Sequence, residues 1–204
     1  MSVMSILWLT LKTVVGLFVA ACLMRSYLQV VRLHAQNPLS RLTFQMTDWI
    51  VLRFRRLVPG FGGFDWASFL SALVLSCLLA VVFYFLMSSH LLPATQGLEK
   101  PVRPFGWLVA LAVLWMTTWG LQLAVVILIA SVLLAWLNPM HPLKPVFDLL
   151  VAPMLAPFRR LLGRGQQARQ STGFDFSPIG AFLVLQILGA VVAEMEMAVM
   201  RHLF

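Results

Sequence analysis

Phe54-Arg55-Arg56-Leu57, followed by Gly63-Phe64-Asp65, returns later in the chain as Phe158-Arg159-Arg160-Leu161, followed by Gly173-Phe174-Asp175. An Asn-Pro pair stands upstream of each copy, Asn37-Pro38 and Asn138-Pro139. Long apolar runs flank each copy on both sides. The repeating unit is therefore a hydrophobic helix, a basic segment suited to a membrane interface, and a second hydrophobic helix. The chain is that unit in tandem, residues 1–104 and 105–204.

Composition supports the same reading. Of the 204 residues, 61% are hydrophobic and 11% charged, which is not the balance of a soluble domain. Apolar runs of 18 residues or more are long enough to cross a bilayer. The formal charge of +8 and the pI near 10.8 also fit nucleic-acid binding. Here, however, the bases flank the apolar runs and no separate soluble domain carries them, so that reading is set aside. Cys22 and Cys77 lie inside apolar runs and offer neither a disulfide framework nor a metal spacing. His34, His90, His141 and His202 are scattered over span ends and loops, so neither a metal nor a cofactor is expected. Trp8, Trp66, Trp107 and Trp136 stand near run ends, where interfacial anchoring explains them.

Taken in order, the spans are expected at about residues 3–24, 66–88, 107–136 and 177–200. Val19-Ala20-Ala21-Cys22 looks like a lipoprotein cleavage box. A signal peptide opens on its positive region, though, and Met1 to Leu11 is already apolar, so the stretch reads as a retained helix. Apolar spacing through Tyr27, Leu28, Val31 and Leu33 extends the first helix to a stop at Asn37-Pro38. Asp65 is placed to cap the second span, and Ser177-Pro178 to open the fourth. The third run, Phe105 to Leu137, exceeds one straight crossing and is expected to protrude rather than bend at Gly120. Thr13-Val14-Val15-Gly16-Leu17 aligns with Thr117-Thr118-Trp119-Gly120-Leu121.

Between the spans of the first repeat, Leu39 to Val58 reads as an in-plane amphipathic helix. Leu42, Met46, Trp49, Ile50, Phe54 and Leu57 form one side, and Arg41, Gln45, Asp48 and Arg55 the other. The second repeat carries Pro142, Pro145, Pro153 and Pro157 over the matching stretch, which predicts short turns instead of a helix. It also adds a Gly/Gln/Ser-rich loop from Gly163 to Gly173, expected to be mobile.

Orientation follows from the bases. The linker from Arg25 to Asp65 holds six, the linker from Asn138 to Phe176 five, and the rest of the chain four. Both long linkers are thus expected in the cytoplasm, with both termini and the middle connector outside. Any pseudo-symmetry axis then lies along the membrane normal.

Arg55, Arg56, Arg159 and Arg160 are the first candidates for function. They set topology and snorkel toward head groups, and they are also placed to bind an anionic lipid such as cardiolipin or a protein partner. One arginine of each repeat is further expected to pair with the following aspartate, Arg56 with Asp65 and Arg160 with Asp175. Asn37 and Asn138 are read as caps. Lys12, Glu194 and Glu196 are the charges well inside apolar runs, and such residues are functional suspects. Lys12 lies about nine residues from the outer surface and Glu194 about ten from the chain end, so an ion pair between the first and fourth spans is expected. Residues two apart on a helix point nearly opposite ways, so only one of the two glutamates can face Lys12. Gln122 and Gln186 are the mid-membrane polar residues that a transporter would use. No phosphate-cradling, zinc-protease or serine-elbow motif is present, so an enzyme is not expected.

With its doubled boxes, the chain resembles the YggT family, which takes in YlmG-like and chloroplast CCB3-like membrane proteins. The family unit is a helix, a Pro-x-Arg-Arg-Leu-like box, a Gly-x-Asp-x-Ser-Pro-like box, and another helix. The second repeat matches with Pro157-Phe158-Arg159-Arg160-Leu161 and Gly173-Phe174-Asp175-Phe176-Ser177-Pro178. The first has Arg53 for the proline and Ala67-Ser68 for Ser-Pro. The resemblance implies a small bacterial inner-membrane protein linked to cell or plastid division, nucleoid distribution, and osmotic or ion homeostasis, with no catalytic residues to carry over. The combined expectation is an all-α protein of four spans in two repeats. Two roles are open to it: a non-enzymatic scaffold or assembly factor that contacts anionic lipid, a protein partner or further copies of itself, or a component of a small ion or osmolyte transporter.

Overall fold

The computed structural model describes residues 3–33, 37–56, 58, 64–91, 104–161 and 177–203. The described residues form six helices: α1 (Val3–Val30), α2 (Pro38–Arg55), α3 (Trp66–Leu91), α4 (Pro104–Leu137), α5 (Lys144–Leu161) and α6 (Ser177–Leu203). Four of them contain segments long and apolar enough to span a membrane: Ser5–Val30, Trp66–Met87, Phe105–Leu137 and Ser177–Leu203. At about 1.5 Å per residue each exceeds the roughly 30 Å of hydrocarbon it must cross. Six hydroxyls in these spans are satisfied within their own helix. Thr10, Thr13, Ser71, Ser76, Thr117 and Thr118 each donate to the carbonyl four residues earlier. That suits a solvent in which every polar group must be met from within the protein. The chain is an all-α, multi-pass membrane protein.

Two compact units form, residues 1–120 with 192–204, and residues 121–191. In the first, α1, α2 and α3 pack mutually around Val19, Cys22, Val51, Ala67, Ala72 and Leu79. An aromatic cluster of Trp8, Phe83, Trp115 and Trp119 extends this core, with ring centroids 4.8–6.3 Å apart. Gly16 lets Trp119 lie directly against α1, because a Cβ there would fall 2.5 Å from the indole Nε1. The second unit buries Ala124, Ile127 and Leu128 of α4, Val146, Leu150, Val151 and Leu155 of α5, and Ala181 of α6. Phe158, from the repeated box, rests against Gly180, whose Cβ would come within 3.2 Å of the ring.

Three expectations need correction. First, α1 does not run to Asn37-Pro38. It closes at Val30 with a Schellman arrangement: Leu33 N–H donates to the Leu28 carbonyl, Arg32 N–H donates to Gln29, and Arg32 takes φ 56°. Apolar periodicity continues past the end because Leu33 still packs, and a non-glycine αL terminator leaves no sequence mark. Arg32→Gly should therefore stabilise the protein by about 0.5–1 kcal/mol, read as a higher unfolding midpoint in detergent.

Second, α5 is one helix of 18 residues that contains Pro153 and Pro157. Pro145 sits in the first turn, where its missing N–H costs nothing. Pro153 and Pro157 are one turn apart with Leu149 on a single exposed stripe. The carbonyls they leave unpaired thus face outward, away from the core.

Third, Ile50 of α2 does not share a side with Leu42, Met46 and Trp49. Ser40, Thr43, Thr47, Ile50 and Val51 are buried against α1 and α3, whereas Leu42, Met46, Trp49 and Leu52 are exposed. Trp49 meets Phe18 of α1 edge-on at 5.8 Å. The small hydroxyl residues face the polar end of α1, and the large apolar ones face the surroundings, as expected of a helix whose outer solvent is lipid. At its start, Asn37 accepts the Leu39 N–H at 3.1 Å, and Pro38 occupies the first turn. Asn138 follows α4, and its carbonyl accepts the His141 N–H. Asp175, Gly173 and the 163–173 loop lie outside the described residues, so the Arg160–Asp175 expectation does too.

Candidate functional site

Asp65 organises the polar centre of the first unit. Its backbone precedes α3, and its Oδ1 accepts the Ser68 N–H at 3.3 Å, capping that helix. Its Oδ2 accepts from Ser68 Oγ at 2.8 Å, Arg55 Nη2 at 2.8 Å and Gln29 Nε2 at 3.2 Å. Arg25 Nε lies 3.5 Å from the same oxygen. The backbone joins in as well, for the Asp65 carbonyl accepts from Ser26 Oγ at 3.0 Å. One aspartate therefore ties together the end of α1, the end of α2 and the start of α3.

Arg25 is the counterpart. Its side chain is 4% exposed and that of Asp65 1%, so both charges have left solvent. Its Nη1 donates to Thr47 Oγ1 at 2.9 Å and to Asp48 Oδ1 at 2.6 Å, and its guanidinium lies 4.6 Å from the centre of the Phe44 ring. Two arginines and two aspartates make a cluster of zero net formal charge. Such a cluster is tolerable at low dielectric only when the groups satisfy one another. Among the described residues Arg25 Nε is the buried side-chain polar atom without a hydrogen-bond partner, so its ion pair is held by position rather than by an aligned bond.

The arginine of the repeated box that pairs with Asp65 is thus Arg55. Arg56, the expected partner, forms the exposed C-cap of α2. In an α2 with its apolar stripe turned outward, residue 55 points back toward the bundle and residue 56 does not. Sequence reasoning also missed Arg25, Ser26, Gln29, Thr47, Asp48 and Ser68. A usable signal was present: Arg25, Ser26 and Gln29 fall on one side of a helix whose apolar spacing continues beyond them, so they face a partner rather than water. The second repeat is built differently. At the positions 104 further on stand Ile129, Ala130 and Leu133. There Ser131 Oγ donates to Asp148 Oδ1 at 3.2 Å, and Lys144 pairs with Asp148 one turn away on α5. Arg159 is half-buried and Arg160 exposed.

Near the other end of α1, Lys12 Nζ lies 3.6 Å from Glu196 Oε1 of α6 and 4.8 Å from the centre of the Trp115 ring of α4. Trp115 Nε1 donates to Glu196 Oε1 at 2.5 Å. Of the two glutamates Glu196 faces Lys12, whereas Glu194 is exposed. An indole N–H and an ammonium thus converge on one carboxylate, and the same indole offers its face to the ammonium. Breaking this group by Glu196→Ala should lower stability in detergent by about 1–3 kcal/mol, less than a fully buried pair because Lys12 is one-third exposed. Gln122 and Gln186 are both exposed. Among the described residues no group of three or more histidine, cysteine or acidic side chains is spaced to hold a metal.

These features define a class: a multi-pass helical membrane protein made of two sequence repeats, each with a shorter helix between its spans. The profile of the CCB3/YggT family matches residues 4–87 and 110–195, one stretch in each repeat. The chain belongs to the CCB3/YggT family. It is 30% identical over 196 residues to "Uncharacterized protein YggT" of Escherichia coli (strain K12), covering 96% of this chain and 93% of that one. An uncharacterized protein of Pseudomonas aeruginosa is 30% identical over 184 residues, 89% of this chain and 85% of its own. One from Vibrio alginolyticus is 28% identical over 190 residues, 90% and 91% of the two chains. No solved structure matches.

Proposed function

We propose that this protein is a non-enzymatic scaffold or assembly factor of the bacterial inner membrane, whose basic face holds anionic lipid and a protein partner. The observation that carries this reading is the Arg25–Asp65–Arg55 cluster. It fixes α2 across α1 and α3 by buried ionic contacts, and α2 then presents exposed Arg41, Arg53 and Arg56 at a set orientation. A rigidly mounted amphipathic helix with a basic end is a docking device more than a reaction site. In this reading both long linkers face the cytoplasm and both termini the periplasm, by the distribution of bases. The links to cell division and osmotic homeostasis that the family suggests belong to the same proposal. Photo-crosslinkers placed at Arg53 and Arg160 in native membranes should capture the same partner protein, and capture of lipid alone from both positions would refute the scaffold. Cysteines at Arg41 and Gln167 should react with impermeant reagent only from the cytoplasmic side, and periplasmic labelling of either overturns the orientation.

Lys12, Glu196 and Trp115 favour a second reading, as part of an ion or osmolyte transporter. Lys12→Met separates the two. It should leave partner capture intact in a scaffold and abolish solute flux in reconstituted vesicles if the protein is a transporter.

A further inference from the structure

The exposed side of α2 has an order along its length that the docking role does not by itself require. Leu42, Met46, Trp49, Arg53 and Arg56 recur at spacings of four, three, four and three, so they form one straight stripe. All five are exposed. The stripe is apolar over its first three positions and cationic over its last two. Leu52 lies beside it, also exposed. Trp49 touches Phe18, seven residues deeper into the span than Arg25, so the apolar part of the stripe faces the acyl side and the arginines follow toward the head groups.

Charge matching sharpens this. The acidic groups near α2, Asp48 and Asp65, are engaged by Arg25 and Arg55. Arg53 and Arg56 are left with no acidic partner among the described residues. Each lies about one turn from the other, close enough for two guanidiniums to share one phosphate. A residue with apolar neighbours on one side and two unanswered cations on the other matches a single amphiphile: a phosphate head attached to acyl chains.

We propose that Trp49, Leu52, Arg53 and Arg56 form a seat for one anionic glycerophospholipid, its phosphate between the two guanidiniums and its upper acyl segment along Trp49 and Leu52. This deepens the lipid-binding part of the proposed function by assigning it to Arg53 and Arg56 and removing Arg55, which Asp65 holds.

The test uses the full chain in vesicles that contain equal fractions of phosphatidylglycerol and phosphatidylcholine, with one or the other brominated on its acyl chains. The fluorescence of Trp49 is taken as the difference between the wild-type protein and Trp49→Phe. Brominated phosphatidylglycerol should quench it at least about fivefold more effectively than brominated phosphatidylcholine, the factor expected for roughly one guanidinium-equivalent of surface attraction. Arg53→Gln with Arg56→Gln should bring the two lipids to equal quenching, while Arg41→Gln, at the far end of α2, should keep the preference. Equal quenching by both lipids in the wild type overturns the seat. So does a loss of preference as large in Arg41→Gln as in the double variant, since that is diffuse attraction to a basic surface. Unfolding midpoints in detergent show that the variants fold. The measurement needs no protein partner, so a failed seat and a failed scaffold are told apart.

Discussion

Asp65→Ala should destabilise the protein by about 3–5 kcal/mol, the largest loss expected from any single polar substitution in this chain. The change leaves Arg25 buried with only Asp48 and Thr47 to meet it, frees Arg55, and removes the cap of α3. Arg25→Met should cost clearly less. Asp65 keeps Arg55, Gln29 and Ser68 in that variant, and methionine fills the space without bringing a charge. Asp65→Asn falls between, since an amide still accepts the Ser68 N–H but no longer balances a guanidinium. The series is read by titrating sodium dodecyl sulfate into mixed micelles and following tryptophan fluorescence. If Asp65→Ala unfolds within about 0.5 kcal/mol of the wild type, or Arg25→Met is the worse of the two, the cluster is not what holds α2 in place.

The second large effect is steric. Gly16 and Gly120 occupy equivalent places in the two repeats, yet their substitutions should behave oppositely. A Cβ at Gly16 would sit 2.5 Å from Trp119 Nε1 and 2.7 Å from Cε2. That indole is 9% exposed and wedged beside Trp115, so it has nowhere to move. Gly16→Val should lose about 3 kcal/mol through overpacking, and Gly16→Ala somewhat less. A Cβ at Gly120 meets only Leu23 Cδ1, at an ordinary 3.5 Å. Gly120→Ala should be neutral or should stabilise by up to about 1 kcal/mol, from the better helix propensity of alanine. The same micelle titration checks both, and equal midpoints for Gly16→Val and Gly120→Ala would contradict the close approach of α1 and α4.

The spans were legible because nothing but a membrane helix accounts for runs of that length and polarity. The doubled Arg-Arg and Gly-x-Asp boxes likewise marked the repeat and directed attention to Asp65. What stayed hidden depends on direction rather than composition. The amphipathic pattern of α2 shows which residues share a side, but it does not say whether the apolar side meets protein or lipid. Nor does it say which arginine of the box meets Asp65: Arg56 was expected there, and Arg55 takes the place. Arg25 was assigned to topology because an arginine just after an apolar run ordinarily is a topology signal. Its burial follows from α2 folding back over it, a tertiary event that local periodicity does not encode. The prolines of α5 failed as helix breakers because their common stripe happens to be exposed.

The position of Arg25 also bears on how the chain is made. Its two carboxylate partners, Asp48 and Asp65, are translated 23 and about 40 residues later, the second after about 2–8 s at ordinary elongation rates of 5–20 residues per second. Until Asp65 is made the Arg25 guanidinium has only Asp48 to meet it. Lys12 waits until almost the last residues, since Glu196 belongs to the closing helix. The charge pairing of the first span is therefore complete only when the last helix has been made.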